Sequence, residues 1–285
     1  MSVVPERDAV SYVSYPTERG IMNKIVKILL TISIFVVSTS LVAGGSGPWN
    51  GKPAAVVLTY DDSLNVHLDN AIPALNKRGL RGTFYLTLKP EAFTKRMSEW
   101  QRAARKGHEL GNHTLFHPCR GGLPDREWVS PDYDLDRYSV HRIVDELVLT
   151  SAILEKLDGK KQRTFAYTCG ETTAGDQSFI ENIKPLFPGA RGVANNFSSP
   201  EDIDLYNINA YGVYNDSGEQ LISFAKQAVK EKKLIVYLFH GVGGEHDLNV
   251  SLEAHNELLD YLKKNKKDIW VATMLDVVNY VNSTR

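Results

Sequence analysis

The chain has 285 residues, with 33 Lys and Arg against 34 Asp and Glu, so its formal net charge at pH 7 is −1. This balance excludes a strongly basic or acidic tail and argues against nucleic acid as a partner. The length suffices for one large α/β domain or two small ones, each with a substantial core.

The N-terminal segment has the pattern of a secretory signal peptide. Lys24 and Lys27 precede the apolar run of residues 28–37, and small residues follow as far as Ala43 and Gly45. A single membrane anchor is the alternative, because a wider window approaches the length that spans a bilayer. We favour cleavage, which predicts a secreted or periplasmic protein without stable membrane insertion.

Residues before Met22 are polar and fit poorly ahead of a signal peptide, so we expect translation to start at Met22. The predicted division is an extension outside the translated protein (1–21), a signal peptide (22–43), a Gly- and Pro-containing linker (44–52) and one folded domain (53–285).

From residue 53 onward, predicted strands alternate with predicted helices. The strands are 54–59, 82–86, 108–111, 164–167, 189–193, 234–239 and 269–272, and the helices include 91–106, 139–157, 176–185 and 218–232. A long polar loop occupies about 118–136, a length usual for functional loops. Without a repeat or a composition break, this alternation predicts one α/β domain with a mainly parallel sheet, open or closed into a barrel.

Polar side chains follow three of the predicted strands. Asp61 and Asp62 follow the first, His113 and His117 the third, and His240 the strand of residues 234–239. Because sites in such folds lie at the carboxyl ends of parallel strands, we expect these groups to meet at one rim. For the two aspartates alone, a helix cap is the competing interpretation, because Asp is a favoured N-cap residue.

His113 and His117 are four residues apart, a spacing that places two imidazoles on one face of a helical turn. Such a pair can bind one metal ion, and a third ligand from Asp61 or Asp62 would complete a set of two histidines and one carboxylate. A coincidental pair on the surface is the alternative for this spacing.

Three stretches together resemble a known family. Thr59-Tyr60-Asp61-Asp62-Ser63, His113-Thr114-Leu115-Phe116-His117 and Leu238-Phe239-His240-Gly241 are similar, in order and spacing, to the first, second and fifth motifs of the polysaccharide deacetylase family. This is the NodB-homology group, carbohydrate esterase family four. The resemblance extends over nearly all of the predicted domain, from about residue 54 to residue 281.

The resemblance implies a distorted (β/α) barrel of about seven parallel strands and metal-dependent removal of acetyl groups from a glycan substrate. In that family's chemistry a divalent metal, most commonly zinc, polarises the acetyl carbonyl and activates water, while an acid and a base move protons. Carried onto this chain, the roles are metal ligands (Asp62, His113, His117), general base (Asp61) and general acid (His240).

The third motif departs from the family pattern. The family usually has Arg-x-Pro-Tyr-Gly there, with the Arg paired to the catalytic Asp, but this chain has Ala166 at the Arg position. Arg191 is our candidate replacement, and a purely structural Arg191 is the alternative. Tyr167 and Cys169 are assigned to the oxyanion and substrate side of this motif, with Cys169 in the place of the usual Tyr.

Cys119 and Cys169 are the two cysteines of the chain. Their spacing alone leaves a disulfide and two buried thiols equally open. The family resemblance places both at the catalytic rim, which favours a disulfide. In or beside the long loop, Trp128, Tyr133 and Tyr138 are candidates for stacking on sugar rings, with packing of the loop on itself as the alternative.

The predicted function is therefore hydrolytic deacetylation of a carbohydrate, either at an N-acetyl amide or at an O-acetyl ester. The competing hypothesis is a noncatalytic glycan-binding protein that retains the deacetylase scaffold. The complete set of five polar residues favours the enzyme, and the missing Arg of the third motif favours the binding protein. No oligomeric state is predicted.

Overall fold

The computed structural model of the protein describes residues 47–285. The predictions for the extension and the signal peptide lie outside the described residues. Within the stretch predicted as a linker, Trp49 is fully buried and its indole N–H donates to the carbonyl of Lys232 at 3.1 Å. The folded unit therefore includes Trp49.

The described chain contains one large sheet in which every pair of neighbouring strands is parallel. In chain order its strands are Ala54–Asp61 (β1), Thr83–Leu86 (β2), Glu109–Asn112 (β3), Phe165–Ala166 (β4), Ala190–Arg191 (β5), Tyr211–Gly212 (β6), Leu234–Phe239 (β7) and Ile269–Ala272 (β8).

The order across the sheet is β5-β4-β3-β2-β1-β7-β6, and β8 pairs with the first half of β1. Single bridges from Arg191 to Ile208 and from Ser198 to Leu234 connect the edge strand β5 with the other side of the sheet through the intervening segment. The sheet is thus a curled, barrel-like structure. The predicted fold class, a distorted (β/α) barrel of about seven parallel strands in one domain, is confirmed.

Helices connect and cover the strands. They are Ile72–Arg78 (α1), Glu91–Thr94 (α2), Met97–Arg105 (α3), Val140–Asp158 (α4), Ile180–Ile183 (α5), Gly218–Glu231 (α6), Leu252–Lys264 (α7) and Met274–Thr284 (α8). Among residues 47–285, none of the helices combines the length and the apolar character needed to span a bilayer.

Two predicted helices differ from the observed ones. The helix predicted over 91–106 is interrupted at Arg96, whose φ of −121° is not helical and whose guanidinium bonds Asp69 and Glu99. Most of the helix predicted over 176–185 is wrong, because Gln177–Ser178 pairs antiparallel with Thr173–Ala174 before the short α5. In both places, local side-chain or strand contacts override helix propensity.

Strand β1 is buried over its whole length, and its side chains alternate between two cores. Val56, Leu58 and Tyr60 belong to the core beneath the covering helices, whereas Ala55 and Val57 pack with the apolar face of α8. Since successive side chains of a strand point to opposite faces, Asp61 shares the face of Ala55 and Val57. The strand therefore carries Asp61 to the concave side and Tyr60 to the helix side.

The helix-side core contains two buried histidines, which contact the carboxyl ends of β1 and β7. Tyr60 Oη lies 2.8 Å from His255 Nε2, and His67 Nε2 lies 2.7 Å from the carbonyl oxygen of His240. Burial lowers the pKa of His67 to about 4 and that of His255 to about 3. Both imidazoles are therefore neutral at physiological pH and serve as polar parts of the core.

We expect His255 to make folding stability depend on pH below neutrality. Its pKa is depressed in the folded state, so below about pH 6.5 the unfolded chain binds the proton first and stability falls. The contribution to the slope is at most about 1.4 kcal/mol per pH unit. Urea unfolding at pH 7, 6 and 5 should show a shallower loss for His255→Gln, which keeps a polar group near Tyr60 but does not titrate.

The matched control is His141→Gln, because the His141 side chain is 84% exposed. An unchanged pH slope in His255→Gln would contradict the assignment of His255 as a buried neutral imidazole.

Candidate active site

The polar groups that follow separate strands meet at the carboxyl end of the sheet. Asp61 is the last residue of β1, Arg191 the last residue of β5, and His240 directly follows β7. Asp62 follows β1, and His113 follows β3. Parallel strands place all their carboxyl ends at one rim, so side chains distant in sequence lie together there.

Asp62, His113 and His117 converge on a common point. The Nε2 atoms of His113 and His117 lie 3.4 Å and 3.2 Å from Asp62 Oδ1. Three ligand atoms of a tetrahedral zinc ion are separated by about 3.3 Å, since zinc bonds to nitrogen and oxygen measure about 2.0–2.2 Å. The two distances from Asp62 Oδ1 fit such a set, and the three side chains are a candidate metal-ligand set.

The hydrogen bonds of the two histidines fix which nitrogen is available. His113 Nδ1 lies 2.8 Å from the carbonyl oxygen of Ala166, so Nδ1 carries the proton and Nε2 presents a lone pair. His117 Nδ1 lies 3.6 Å from Cys119 Sγ, which orients this ring in the same sense. Asp62 Oδ1 is buried and has no hydrogen-bond partner. Three acceptor atoms that face a common point in this way can bind a divalent cation.

The loop that carries the two histidines is not a helical turn, so that part of the prediction is wrong. Thr114 and His117 have φ values of 65° and 56°, in the left-handed region. Asn112 organises the loop: its Oδ1 accepts the N–H of Thr114, while its amide group donates to Leu147 O. Side-chain hydrogen bonds thus bring the imidazoles together without helical backbone.

The electrostatics of the cluster follow from the carboxylate of Asp62. Burial raises the pKa of Asp62, but His117 and His113 lower it by more, so the pKa is well below its usual value. Burial lowers the pKa of His117, and Asp62 reverses this and leaves the pKa above its usual value. A negative charge at Asp62 is therefore retained, and it attracts positive charge to the position of the ligand set.

Asp61 and Arg191 form a buried ion pair on the concave side of the sheet. Arg191 is 0% exposed and its Nη2 donates to Asp61 Oδ2. Burial raises the pKa of Asp61, but the charges of Arg191 and His113 outweigh it, and the net pKa is lowered. Asp61 Oδ1 is buried without a hydrogen-bond partner. Asp61 thus keeps a free, ionised oxygen beside the cluster.

His240 lies on the other side of Asp62, with its Nε2 3.7 Å from Asp62 Oδ2. Its backbone carbonyl accepts the bond from His67, which fixes the end of β7. Burial lowers its pKa by more than Asp61 and Asp62 raise it. His240 therefore faces the same centre as His113 and His117, from the opposite side of Asp62.

His246 also reaches this centre, and the sequence analysis missed it. Its ring stacks on that of His240 with centroids 4.7 Å apart, and its Nε2 lies 3.8 Å from Asp62 Oδ2. Gly243 and Gly244 have positive φ values and turn the chain back after β7. The sequence does contain a signal that could have identified it, because a second histidine stands six residues after His240, just beyond Gly243 and Gly244.

Cys119 and Cys169 form a disulfide bond that joins the loop of His117 to the turn after β4. Cys169 has a φ of 53°, which is unusual for a residue other than glycine and typical of functional turns. In the same turn, the Tyr167 N–H donates to Arg191 O and its hydroxyl donates to Tyr206 O. Tyr167 therefore contributes its ring, rather than a free donor, to the cavity.

A cavity of about 360 Å³ opens over the cluster. Its polar floor includes Asp61, Asp62 and His240, and its walls include Trp128 and Leu248. Of the other aromatic candidates, Tyr138 is buried under Arg142, and Tyr133 stacks on Phe116 at 5.0 Å. The aromatic side chain that faces the cavity from the long loop is Trp128.

Comparison with known proteins finds a family similar to the first part of the described chain. The polysaccharide deacetylase family model matches residues 50–179, which include β1, the Asp61-Asp62 pair, His113, His117 and the two cysteines. Arg191 and His240 lie beyond the matched region. The resemblance to the polysaccharide deacetylase family is therefore confirmed over residues 50–179, a little under half of the chain.

Individual relatives are distant. The uncharacterized protein YlxY of Bacillus subtilis strain 168 is 26% identical over 119 residues, which are 42% of this chain and 32% of that protein. The chain thus matches about a third of the length of this curated relative.

Two solved structures share the fold. One is the Xyl-CE4 domain of a multidomain xylanase from the hindgut metagenome of Trinervitermes trinervoides, with 19% identity, 80% of this chain and 91% of that chain covered, and a TM-score of 0.53. The other is Bacillus subtilis PdaA, a family 4 carbohydrate esterase, with 16% identity, 83% and 86% coverage, and a TM-score of 0.51.

We expect the disulfide to stabilise the site as well as the fold. It closes a loop with a sequence separation of 50, and its removal in Cys119→Ala/Cys169→Ala should lower the free energy of unfolding by about 2–4 kcal/mol. Denaturant unfolding measures this change. Iodoacetamide under denaturing conditions should label neither cysteine until a reductant is added, and labelling without reductant would contradict the bond.

Proposed function

We propose that this protein is a metal-dependent hydrolase that removes acetyl groups from a glycan. The observation that carries the proposal is the convergence of Asp62, His113 and His117 beside the Asp61–Arg191 pair and His240 at the floor of one cavity. The similarity of residues 50–179 to the polysaccharide deacetylase family supports this reaction class. The reaction consumes one water and yields acetate with a free amine or hydroxyl.

Asp62, His113 and His117 would hold the divalent metal, and their nitrogen and oxygen donors suit zinc or another first-row ion. Such an ion supplies Lewis-acid polarisation of a carbonyl group and increases the acidity of water. The lone pairs of the two imidazoles and the unpartnered Oδ1 of Asp62 support this assignment.

Asp61 is our general base. Its lowered pKa keeps it ionised at neutral pH, and Arg191 occupies Oδ2 while Oδ1 has no partner. A carboxylate in this state can accept a proton from water as the water attacks the acetyl carbon. Arg191, which stands in for the missing Arg of the third motif, holds the carboxylate in place.

His240 is our general acid, and it lies across the floor from Asp61. It would give a proton to the departing nitrogen or oxygen, a step that matters more for an amine because an amine leaves less readily. The turn at Cys169 would present its backbone N–H to the developing oxyanion, which is the kind of preorganised donor that such reactions use.

We further propose that the protein acts outside the cytoplasm, as a secreted or periplasmic enzyme. The signal-like pattern of residues 22–43 supports export, and the disulfide between Cys119 and Cys169 agrees with it, since disulfides persist in oxidising compartments. The substrate would then be an acetylated polysaccharide of a cell wall or of the surroundings.

Acetate release tests the function. The purified protein should release acetate from at least one member of a panel of acetylated glycans, among them chito-oligosaccharides, peptidoglycan fragments and acetylated xylan. A chelator should abolish release, and zinc should restore it. Asp61→Asn and His240→Asn should each lower kcat by about 10²- to 10⁴-fold, because each removes a proton-transfer group.

Asp62→Asn should instead lose the metal, as measured by zinc titration, while the exposed His141→Ala should match the wild type in metal binding and turnover. Amide and ester substrates in the same panel distinguish N- from O-deacetylation. Zinc binding without release of acetate from any substrate would overturn the enzyme and favour a glycan-binding protein on this scaffold.

Arg191 provides a separate test of the pairing with Asp61. Arg191→Gln should lower kcat at least tenfold, about 1.4 kcal/mol, while zinc remains bound. The matched control is Arg163→Gln, because Arg163 also forms a buried ion pair, with Asp158 at 3.2 Å, but lies away from the rim. Both variants should lose thermal stability, and only the first should lose turnover. Wild-type kcat in metal-loaded Arg191→Gln would contradict the role.

A further inference from the structure

His246 lines the cavity over the proposed catalytic floor, and the proposed reaction gives it no role. Its side chain is 31% exposed, and its ring stacks on that of His240 with an angle of 18° between the two planes. Its Nε2 lies 3.8 Å from Asp62 Oδ2, which is beyond hydrogen-bond distance. This nitrogen is therefore open to a ligand in the cavity.

The other ring nitrogen of His246 determines where its proton lies. His246 Nδ1 accepts a hydrogen bond from the backbone N–H of Leu248 at 2.9 Å. A neutral imidazole has one N–H group and one lone pair, so a lone pair at Nδ1 places the proton on Nε2. His246 Nε2 is thus a donor. His113 is the opposite case, because its Nδ1 donates to Ala166 O and its Nε2 presents a lone pair.

The position of this proton separates His246 from the candidate metal ligands. Asp62, His240 and His246 have ligand atoms within 4.8 Å of one another, a spacing that would also suit a cation. A ligand atom must present a lone pair, however, and His246 Nε2 carries a proton while the Leu248 N–H occupies Nδ1. The geometry therefore favours an acceptor atom of a substrate in front of this nitrogen over a second metal ion.

The loop that carries His246 is fixed on both sides of the imidazole. Just before it, the Glu245 carboxylate accepts the N–H of Val66 at 2.7 Å. Two residues after it, the carbonyl of Leu248 accepts the N–H of Gly241 at 3.0 Å. A donor that is held in place before the ligand arrives loses little freedom on binding, so it contributes more to affinity than a mobile donor does.

The position of His240 indicates which part of a substrate His246 faces. The Nε2 atoms of His240 and His246 lie 3.7 Å and 3.8 Å from the same oxygen of Asp62, so both face the same part of the cavity. In the proposed reaction, His240 gives a proton to the departing nitrogen or oxygen, and that atom stays attached to the sugar. The sugar therefore lies beside His246, and its oxygens are hydrogen-bond acceptors.

We propose that His246 is a binding residue for the sugar that carries the acetyl group, and that its Nε2–H donates to an oxygen of this sugar. The inference rests on the proposed function and adds to it a residue that recognises the leaving group. His246 should consequently matter more for a glycan than for an acetyl ester that contains no sugar.

Hydrolysis of substrates with and without a sugar tests this proposal. A chito-oligosaccharide and an acetylated xylo-oligosaccharide have sugar leaving groups, whereas p-nitrophenyl acetate has none. Counting only the chelator-sensitive rate excludes ester hydrolysis elsewhere on the protein. His246→Phe keeps a ring that can stack on His240 but removes the donor. It should lower kcat/KM for the glycan about fivefold more than for the aryl ester, the loss typical of one neutral hydrogen bond.

His246→Gln should retain part of the glycan preference, because its amide N–H can occupy the position of Nε2 although the ring is absent. The matched control is Asp247→Asn, since Asp247 is an exposed residue of the same loop, and this variant should keep the wild-type preference. An unchanged preference in His246→Phe would overturn the proposal. So would two zinc ions per wild-type chain that fall to one in His246→Phe, because His246 would then be a metal ligand.

Calorimetric binding of the two oligosaccharides to metal-loaded Asp61→Asn separates this inference from the proposed function, because binding requires no turnover. Adding His246→Phe to this variant should weaken binding about fivefold. Such a loss, without acetate release by the wild type from any substrate, would overturn the deacetylase and retain the sugar contact. Acetate release by the wild type, with oligosaccharide binding that does not depend on His246, would retain the deacetylase and overturn the sugar contact.

Discussion

The ion pair between Asp61 and Arg191 is the contact on which the arrangement of the site depends. Asp61 ends β1 and Arg191 ends β5, four positions away across the sheet, so the two side chains meet only because the sheet curls. Both are buried, and an unpaired charge at this depth would be strongly destabilising. The pair thus couples the curvature of the sheet to the position and ionisation of a carboxylate. The same curvature brings the loops after β3 and β7 to face each other across Asp62.

The two faces of β1 place neighbouring side chains in different environments. Toward the helices, Tyr60 contacts His255, and His67 forms a hydrogen bond to the backbone carbonyl of His240. Toward the concave side, Asp61 meets Arg191. Because alternation in a strand is fixed by geometry, the neighbouring residues Tyr60 and Asp61 are committed to different environments. The rim that carries Asp61 and His240 therefore lies directly above the polar contacts of Tyr60 and His67 in the core.

Much of this could be predicted from the sequence, because strand alternation and the family motifs are local signals. Asp61, Asp62, His113, His117 and His240 all follow predicted strands, and parallel topology brings strand ends together. Other features depend on contacts that no local pattern records. The loop from Asn112 to His117 is shaped by side-chain hydrogen bonds rather than by helix propensity, and His246 returns to the site through a glycine turn.

The disulfide also fixes the base of the long loop. Cys119 is bonded to Cys169 and pairs with Asp134, while Gly121 N–H donates to the Asp134 carboxylate. These contacts hold the first residues of the loop, near His117, against its last residues around Asp134. The residues between these two ends include Arg126 and Trp128, which line the cavity. The His117 imidazole and the loop residues that line the cavity therefore lie in adjacent segments of the chain, and the disulfide and the Cys119–Asp134 bridge fix the point at which the two segments separate.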